Sequence, residues 1–339
     1  MAEVRGRVRG RLAPLRGPSH KEAAGKRVAA GLPRHMRVEP RALTGDIYSK
    51  ASDMAKHKSR ASAVIVGPGR IGQAMGRLLS ESGVPIAAIA ARKPAAARRA
   101  VRFVGQGRPA ALDDPVLQSA SVFLICTSDS AIAEVARELA NRKTHRGDWR
   151  GRVVLHTCGS LPSTILGPLK KRGAAIGSLH PYQTVPSPQA GVRNLRGCFW
   201  AIEGDPLALR LARDWVRRLG GVAFPIRPGR KTLYHLSAFL VCPTLVTLMA
   251  QATELLRLAG VPPRISRPML RQFVTETARN FEDLGGRRAL TGPAVRGDWA
   301  TIRRHLAALR QVAPEFVPVY KSLLQAMLRL AGVIAPGHQ

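Results

Sequence analysis

Acidic side chains are scarce in this chain. Its 339 residues carry 21 Asp and Glu against 54 Lys and Arg, a formal net charge of +33. Aromatic residues are also few, at 5%. No uninterrupted apolar run reaches the roughly 18 residues of a bilayer-spanning helix. The longest candidate, Leu236 to Met249, carries Pro243, so no membrane association is expected. The N-terminus has no apolar signal core, which speaks against secretion. The four cysteines, Cys126, Cys158, Cys198 and Cys242, are widely spaced with no C-x-x-C pair. That spacing excludes the usual disulfide frameworks and zinc sites, leaves no metal expected, and fits reduced thiols in a cytoplasmic protein.

A shortage of acid this strong ordinarily suggests nucleic acid as a partner. Here the arginines are spread along the whole chain, including the amphipathic stretch Leu209 to Leu219. No zinc finger, RNP motif or helix-turn-helix accompanies them. A nucleic-acid-binding protein is therefore the third of three readings.

At 45% hydrophobic the chain can bury ordinary cores, and its length suits two domains. Residues 1–60 are rich in Arg, Gly, Pro and Ala and poor in large apolar side chains, so a disordered basic leader is expected. Met36 or Met54 would serve as a start closer to the first folded residue.

The organising stretch is Ser62 to Gly76. A short apolar run, Ala63 to Val66, predicts a buried parallel strand. Gly67, Gly69 and Gly72 follow in G-x-G-x-x-G spacing, and a helical pattern then places Ile71, Met75, Leu78 and Leu79 on one face. The first glycine lets the chain turn, the second lets a pyrophosphate approach the backbone, and the third lets the helix lie on the sheet. The helix N-terminus then faces the phosphates with free N–H groups. Gly67, Pro68, Gly69, Arg70, Ile71 and Gly72 are thus candidate dinucleotide contacts.

Val84 to Ala91 reads as the second strand. A carboxylate that holds the ribose 2′-hydroxyl is expected at its end, yet Ala90-Ala91 is followed by Arg92 and Lys93. A guanidinium there can grip a 2′-phosphate bidentately, so NADP is expected over NAD. A helix from Ala95 to Val101, a short strand near Arg108 to Ala111 and a strand from Ser121 to Thr127 follow. Thr127, Ser128 and Asp129 then open a helix over Ala131 to Ala140 and form a wall of the cofactor cleft.

Strands over Arg152 to Leu155 and Ala174 to Leu179 each deliver a histidine at the carboxyl edge, His156 and His180. An imidazole there can donate to a carbonyl or shuttle a proton. His156 is assigned to the cofactor, His180 to catalysis, and Ser160 to the substrate. Phe199 to Glu203 and Val222 to Ile226 read as strands flanking a helix over Pro206 to Leu219. The expected fold is α/β: a doubly wound, mostly parallel Rossmann sheet over residues 61–228, then an all-helical domain over 229–332 and a tail at 333–339. Its helices are expected over Arg230 to Ala259 with a kink at Cys242-Pro243, Arg267 to Leu284, Asp298 to Val312 and Pro314 to Leu330. Such apolar helices need partners, so a homodimer through them is expected.

The stretches VIVGPGRIGQAMG, CTSDSAI, HTCGSL, GSLHPYQTV, YHLSAFLV and ALTGPAVRGDWATIRRHL resemble bacterial Rossmann-like proteins with a C-terminal domain of unknown function. These belong with the 6-phosphogluconate dehydrogenase-like, pyrroline-5-carboxylate reductase-like and coenzyme F420-dependent NADP oxidoreductase-like proteins. The similarity covers about residues 61–331. It implies an NAD(P)-binding domain followed by a helical dimerisation domain, and names no substrate. The chain departs from the pattern at Cys242-Pro243, where the relatives carry a small residue and Asn. By analogy with β-hydroxyacid dehydrogenases, Lys231 would be an acid–base group and His235, four residues on, would stand where an Asn stands. His235 joins Lys231 and His180 as a catalytic candidate for proton transfer, and Tyr234 beside them is assigned to the substrate. Thr291 and Arg296, in a loop that opens a helix, would hold an acidic group of the substrate. The first function reading is an NADP-dependent oxidoreductase acting on a small carbonyl, imine or hydroxy compound. The second is a non-catalytic NADP-binding sensor or regulatory protein.

Overall fold

The computed structural model describes residues 62–141 and 148–333. The expected basic leader and nearly all of the tail lie outside them.

Eight strands form one sheet in the order β3-β2-β1-β4-β5-β6-β7-β8. They are β1 (Ala63–Val66), β2 (Ile86–Ala90), β3 (Arg108–Ala110), β4 (Val122–Ile125), β5 (Val153–His156), β6 (Ala175–Pro181), β7 (Phe199–Gly204) and β8 (Val222–Pro225). All neighbours pair in parallel except β6 with β7. β1 and β4 are buried at every position, as a parallel strand covered on both faces must be.

The helices of this half are α1 (Arg70–Glu81), α2 (Pro94–Val104), α3 (Asp129–Asn141), the four-residue α4 (Gly167–Lys170), α5 (Pro188–Asn194) and α6 (Pro206–Arg218). Leu78, Leu79, Val104, Trp215 and Val216 pack on one face of the sheet. Ile132, Leu139, Trp149 and Leu169 pack on the other. The strand order reverses between β1 and β4, so the carboxyl ends of these two strands flank the crevice where doubly wound sheets bind ligands.

Two departures from the sequence expectation matter for the site. β6 runs two residues further than expected because His180 and Pro181 pair with Ala201 and Trp200 of antiparallel β7. His180 is therefore fixed within a strand and not carried on a loop. The short α5 was also not foreseen; Ser187 caps it by accepting from Ala190 N.

The helical half comprises α7 (Lys231–Val241), α8 (Pro243–Leu258), α9 (Pro263–Leu284), the short α10 (Gly286–Ala289) and α11 (Pro293–Arg296), α12 (Trp299–Val312) and α13 (Val317–Ala331). Cys242 separates α7 from α8, and Pro243 takes the first position of α8, where a missing N–H costs nothing. The break does not end the apolar stretch. Taken together, Lys231–Leu258 is 28 residues long and contains an unburied window with a mean hydropathy of 1.7, so by length and composition alone it passes for a membrane-crossing helix. Asp298 caps α12 by accepting from Thr301 N at 3.0 Å.

Candidate functional site

The three motif glycines have three separate tasks. Gly67 adopts φ +88°, and a Cβ there would stand 2.6 Å from Thr127 Cγ2 at the end of β4. A Cβ on Gly72 would collide with the Gly67 carbonyl and sit 3.1 Å from Cys126 Cβ. Both positions are closed by the protein itself. Gly69 differs: its Cβ would meet only the Cys126 carbonyl, at 3.9 Å. Space therefore opens above the Gly69 backbone at the N-terminus of α1, the setting in which main-chain N–H groups receive phosphate oxygens. Gln73 braces the turn by donating to the Pro68 carbonyl at 2.9 Å.

This cradle opens into a cavity of about 600 Å³. Val66, Gly67, Pro68 and Gly69 line it with Arg92, Lys93, Thr127 and Ser128. Arg92 and Lys93 stand just past β2, at the place of a ribose-binding acid. Glu134 and Glu138 form part of the opposite wall on α3. Thr127 Oγ1 is buried with no hydrogen-bond partner among the described residues. A diphosphate-bearing nucleotide fits this donor-rich, partly apolar space. Arg70 and Ile71 lie in the first turn of α1, outside the cavity lining.

His156 is placed otherwise than expected. It is fully buried at the end of β5 and does not line the cavity. Its Nδ1 accepts from Cys158 N at 3.2 Å. That leaves the proton on Nε2, which has no hydrogen-bond partner among the described residues. Burial, seconded by the Lys231 charge and more faintly by His180, pushes its pKa down to about 3, with the Pro162 backbone opposing. It is a neutral core residue in this structure, because a strand covered on both faces offers its end no solvent.

His180, Tyr234 and His235 do come together. His180 Nδ1 is 2.8 Å from Tyr234 Oη. The His180 ring centroid lies 6.2 Å from that of His235. Tyr182 packs on Tyr234 at 5.5 Å, and its hydroxyl is 3.2 Å from Ser237 Oγ. Gly159 lets the two histidines lie against bare backbone, since a Cβ there would be 2.7 Å from His180 Nε2 and 2.8 Å from His235 Cδ2. Burial is the main reason that the His180 pKa falls to about 4; the charges of Lys231 and His235 add to it and Asp129 opposes it. Burial likewise pushes the Tyr234 phenol upward.

Lys231 reaches the same region but is not free. It is 3% exposed. Its Nζ donates to Cys158 O at 2.7 Å, Leu161 O at 2.7 Å and Ser178 Oγ at 2.8 Å, which uses all three protons. Burial lowers its pKa to about 8, against the pull of Glu203, Cys158 and Asp129. The expected acid–base group is thus a staple between α7, β6 and the loop after β5. Glu203 in turn accepts from Ser163 N.

Ser160 Oγ donates to Asp129 Oδ2 at 3.3 Å, tying that loop to the first turn of α3. Thr291 and Arg296 are exposed at α11, whose neighbours are α12 and α13. No hydrogen bond joins them to the cleft among the described residues. Cys158, Leu161 and Ser178 could not be read from the sequence as Lys231 acceptors. Two of these are backbone carbonyls, which carry no residue signature, and a lone buried serine has none either.

A sequence profile of the Rossmann-like domain matches residues 48–181. A second, of a domain of unknown function, DUF2520, matches residues 198–327. The second match begins before β7, so that domain includes the last two strands of the sheet. Among curated proteins none matches by sequence. Among solved structures, a Bacteroides fragilis protein provisionally named an NADP oxidoreductase is similar at TM-score 0.65 and 24% identity, over 79% of this chain and 98% of the other. An Aspergillus terreus reductive aminase, solved with NADPH and ethyl-5-oxohexanoate, is similar at TM-score 0.55 and 17% identity, over 81% and 99%. A Coxiella burnetii pyrroline-5-carboxylate reductase is similar at TM-score 0.51 and 13% identity, over 80% and 98%. At these identities the likeness is one of fold. The two profiles together span most of the chain in the order of its two halves, and the chain belongs to the Rossmann-like proteins that carry a C-terminal DUF2520 domain.

Proposed function

We propose that this protein is an NADP-dependent oxidoreductase acting on a small carbonyl, imine or hydroxy compound beside His180. One observation carries the proposal. The only motif glycine left open to a ligand, Gly69, adjoins a cavity whose β2 rim presents Arg92 and Lys93 where a carboxylate would select NAD. A guanidinium can take a 2′-phosphate through two parallel hydrogen bonds. The names of the Bacteroides fragilis and Aspergillus terreus structures, one for NADP and one holding NADPH, support the choice of cofactor.

When bound, the nicotinamide supplies or accepts a hydride. The chain does the rest. The N-terminus of α1 receives the diphosphate, Arg92 the 2′-phosphate, and the His180–Tyr234 pair holds a polar group of the substrate. Lys231 keeps the loop 157–161 in place against that pair. The apolar faces of α7, α8 and α9 are covered by a second copy of the chain, so the working unit is a homodimer.

Calorimetric titration tests the cofactor assignment. NADPH is expected to bind at least about tenfold more tightly than NADH, and Arg92→Ala to abolish that difference, a loss of about 1.4 kcal/mol. Equal affinity for both nucleotides in the unaltered protein refutes it. Turnover in a panel of carbonyls and imines then separates an enzyme from a nucleotide-binding sensor.

A further inference from the structure

Strand β6 and helix α7 face each other through a ladder of three polar pairs. Ser178 and His180 of the strand, and Tyr182 just after it, alternate along the chain and so share one side. They meet Lys231, Tyr234 and Ser237, spaced three apart on one broad face of α7. Lys231 Nζ donates to Ser178 Oγ at 2.8 Å. Tyr234 Oη lies 2.8 Å from His180 Nδ1. Tyr182 Oη lies 3.2 Å from Ser237 Oγ, which itself donates to the Tyr234 carbonyl at 2.6 Å. The first pair is buried, the third exposed, and His180 occupies the middle.

The middle pair shares one hydrogen, which either partner could supply. Burial, helped by the charges of Lys231 and His235 and opposed by Asp129, keeps His180 unprotonated. Burial, with Tyr182 and Cys198 adding to it, keeps the proton on the Tyr234 phenol. Both partners are therefore neutral. A phenol is the better donor of the two, and a bare imidazole nitrogen the better acceptor. Were Nδ1 to donate instead, the phenol proton would need another acceptor, and Tyr234 Oη has none among the described residues. The hydrogen thus runs from Oη to Nδ1, which puts the His180 proton on Nε2. His180 Nε2 has no hydrogen-bond partner among the described residues, yet it is not sealed off as His156 Nε2 is. It lies against the bare backbone of Gly159, where a Cβ would stand 2.7 Å away.

We propose that Tyr234 is a positioning residue that fixes the tautomer of His180, so that His180 meets the substrate as a neutral Nε2–H donor to one of its lone pairs. The flanking pairs keep α7 in register on β6. The donor role rests on the oxidoreductase reading above, whereas the tautomer does not. Tyr234 thereby moves from the substrate, where the sequence placed it, to a place behind His180.

Nitrogen NMR of the imidazoles in the full-length protein at neutral pH reads the tautomer without turnover, with the His180 signals assigned by their loss in His180→Ala. The unaltered protein should show a protonated Nε2 and a bare, hydrogen-bonded Nδ1. In Tyr234→Phe the two signals should draw together as the tautomers exchange. Tyr182→Phe, which removes only the outer pair, should leave them apart. Turnover is read with NADPH and para-nitrobenzaldehyde, an activated carbonyl. Tyr234→Phe should lower kcat about tenfold with the KM for NADPH unchanged, and His180→Ala should lower it at least about a hundredfold, as loss of a placed donor does. A protonated Nδ1 in the unaltered protein overturns the proposal, as do unchanged signals or an unchanged kcat in Tyr234→Phe. Each of these leaves the oxidoreductase reading standing. NADPH binding without turnover of the aldehyde overturns the donor role while leaving the cofactor assignment standing. Absence of NADPH binding overturns the oxidoreductase reading and the donor role together.

Discussion

Helices α1 and α8 differ in what their own chain gives them to pack against. α1 buries Ala74, Met75, Leu78 and Leu79 on the sheet. α8, with sixteen residues to the twelve of α1, buries none. The contrast extends to the two halves. The sheet half closes two cores around its strands. The helical half leaves Phe239 53%, Phe273 73% and Phe281 64% exposed. Fully burying such a side chain is worth about 1.5–3 kcal/mol, so the sheet half has its apolar side chains covered and the helical half leaves several of its own open. This open apolar surface is the basis of the homodimer proposed above.

The largest effect is expected where that contrast is sharpest. Phe273→Glu should break a dimer of the helical halves and cost several kcal/mol in association, at least about 3 kcal/mol for two copies of a buried aromatic. Sedimentation equilibrium is the measurement, with a dimer for the unaltered protein and a monomer for the variant. A monomeric unaltered protein at micromolar concentration would show that the helical half stands alone after all.

A smaller effect is expected at the seam between the halves. Lys231→Met deprives Cys158 O, Leu161 O and Ser178 Oγ of their donor. Leaving such groups unsatisfied costs about 2–3 kcal/mol, read as a lower denaturant midpoint. Unchanged stability with lost turnover would return Lys231 to the acid–base role that the sequence suggested.

The smallest effect separates the buried strand end from everything else. His156 titrates near 3 when folded and near 6.5 when unfolded. Between these values the unfolded chain binds a proton that the folded chain refuses, so its contribution to stability falls as pH falls. From about pH 6.5 to about 5.5 the loss from this residue is about 1 kcal/mol. His156→Gln should flatten the stability profile by that amount. An unaltered slope would mean that water reaches the imidazole and lets it charge.

The sheet half was legible because its signals are local. The G-x-G-x-x-G spacing, the apolar runs and the helical periods each concern residues a few positions apart. The histidine cluster was half legible: His180, Tyr234 and His235 could be picked out, but not their mutual contact or the extension of β6 that fixes His180, which depends on pairing with β7 some twenty residues away. The long helical stretch Lys231–Leu258 and its break were legible, because Pro243 removes one N–H and so takes the first position of α8.

The sequence by itself determined that the chain would bend around Gly67 and leave a bare backbone at Gly69, because those outcomes need only the absence of a side chain at set spacing. Which titratable groups meet solvent was decided by the tertiary structure alone. Lys231 and His156 look like reagents in one dimension. Folding over the loop after β5 turns the first into a staple and the second into core, because the cost of burying a charge depends on neighbours 53 to 73 residues distant for Lys231 and on none beside it.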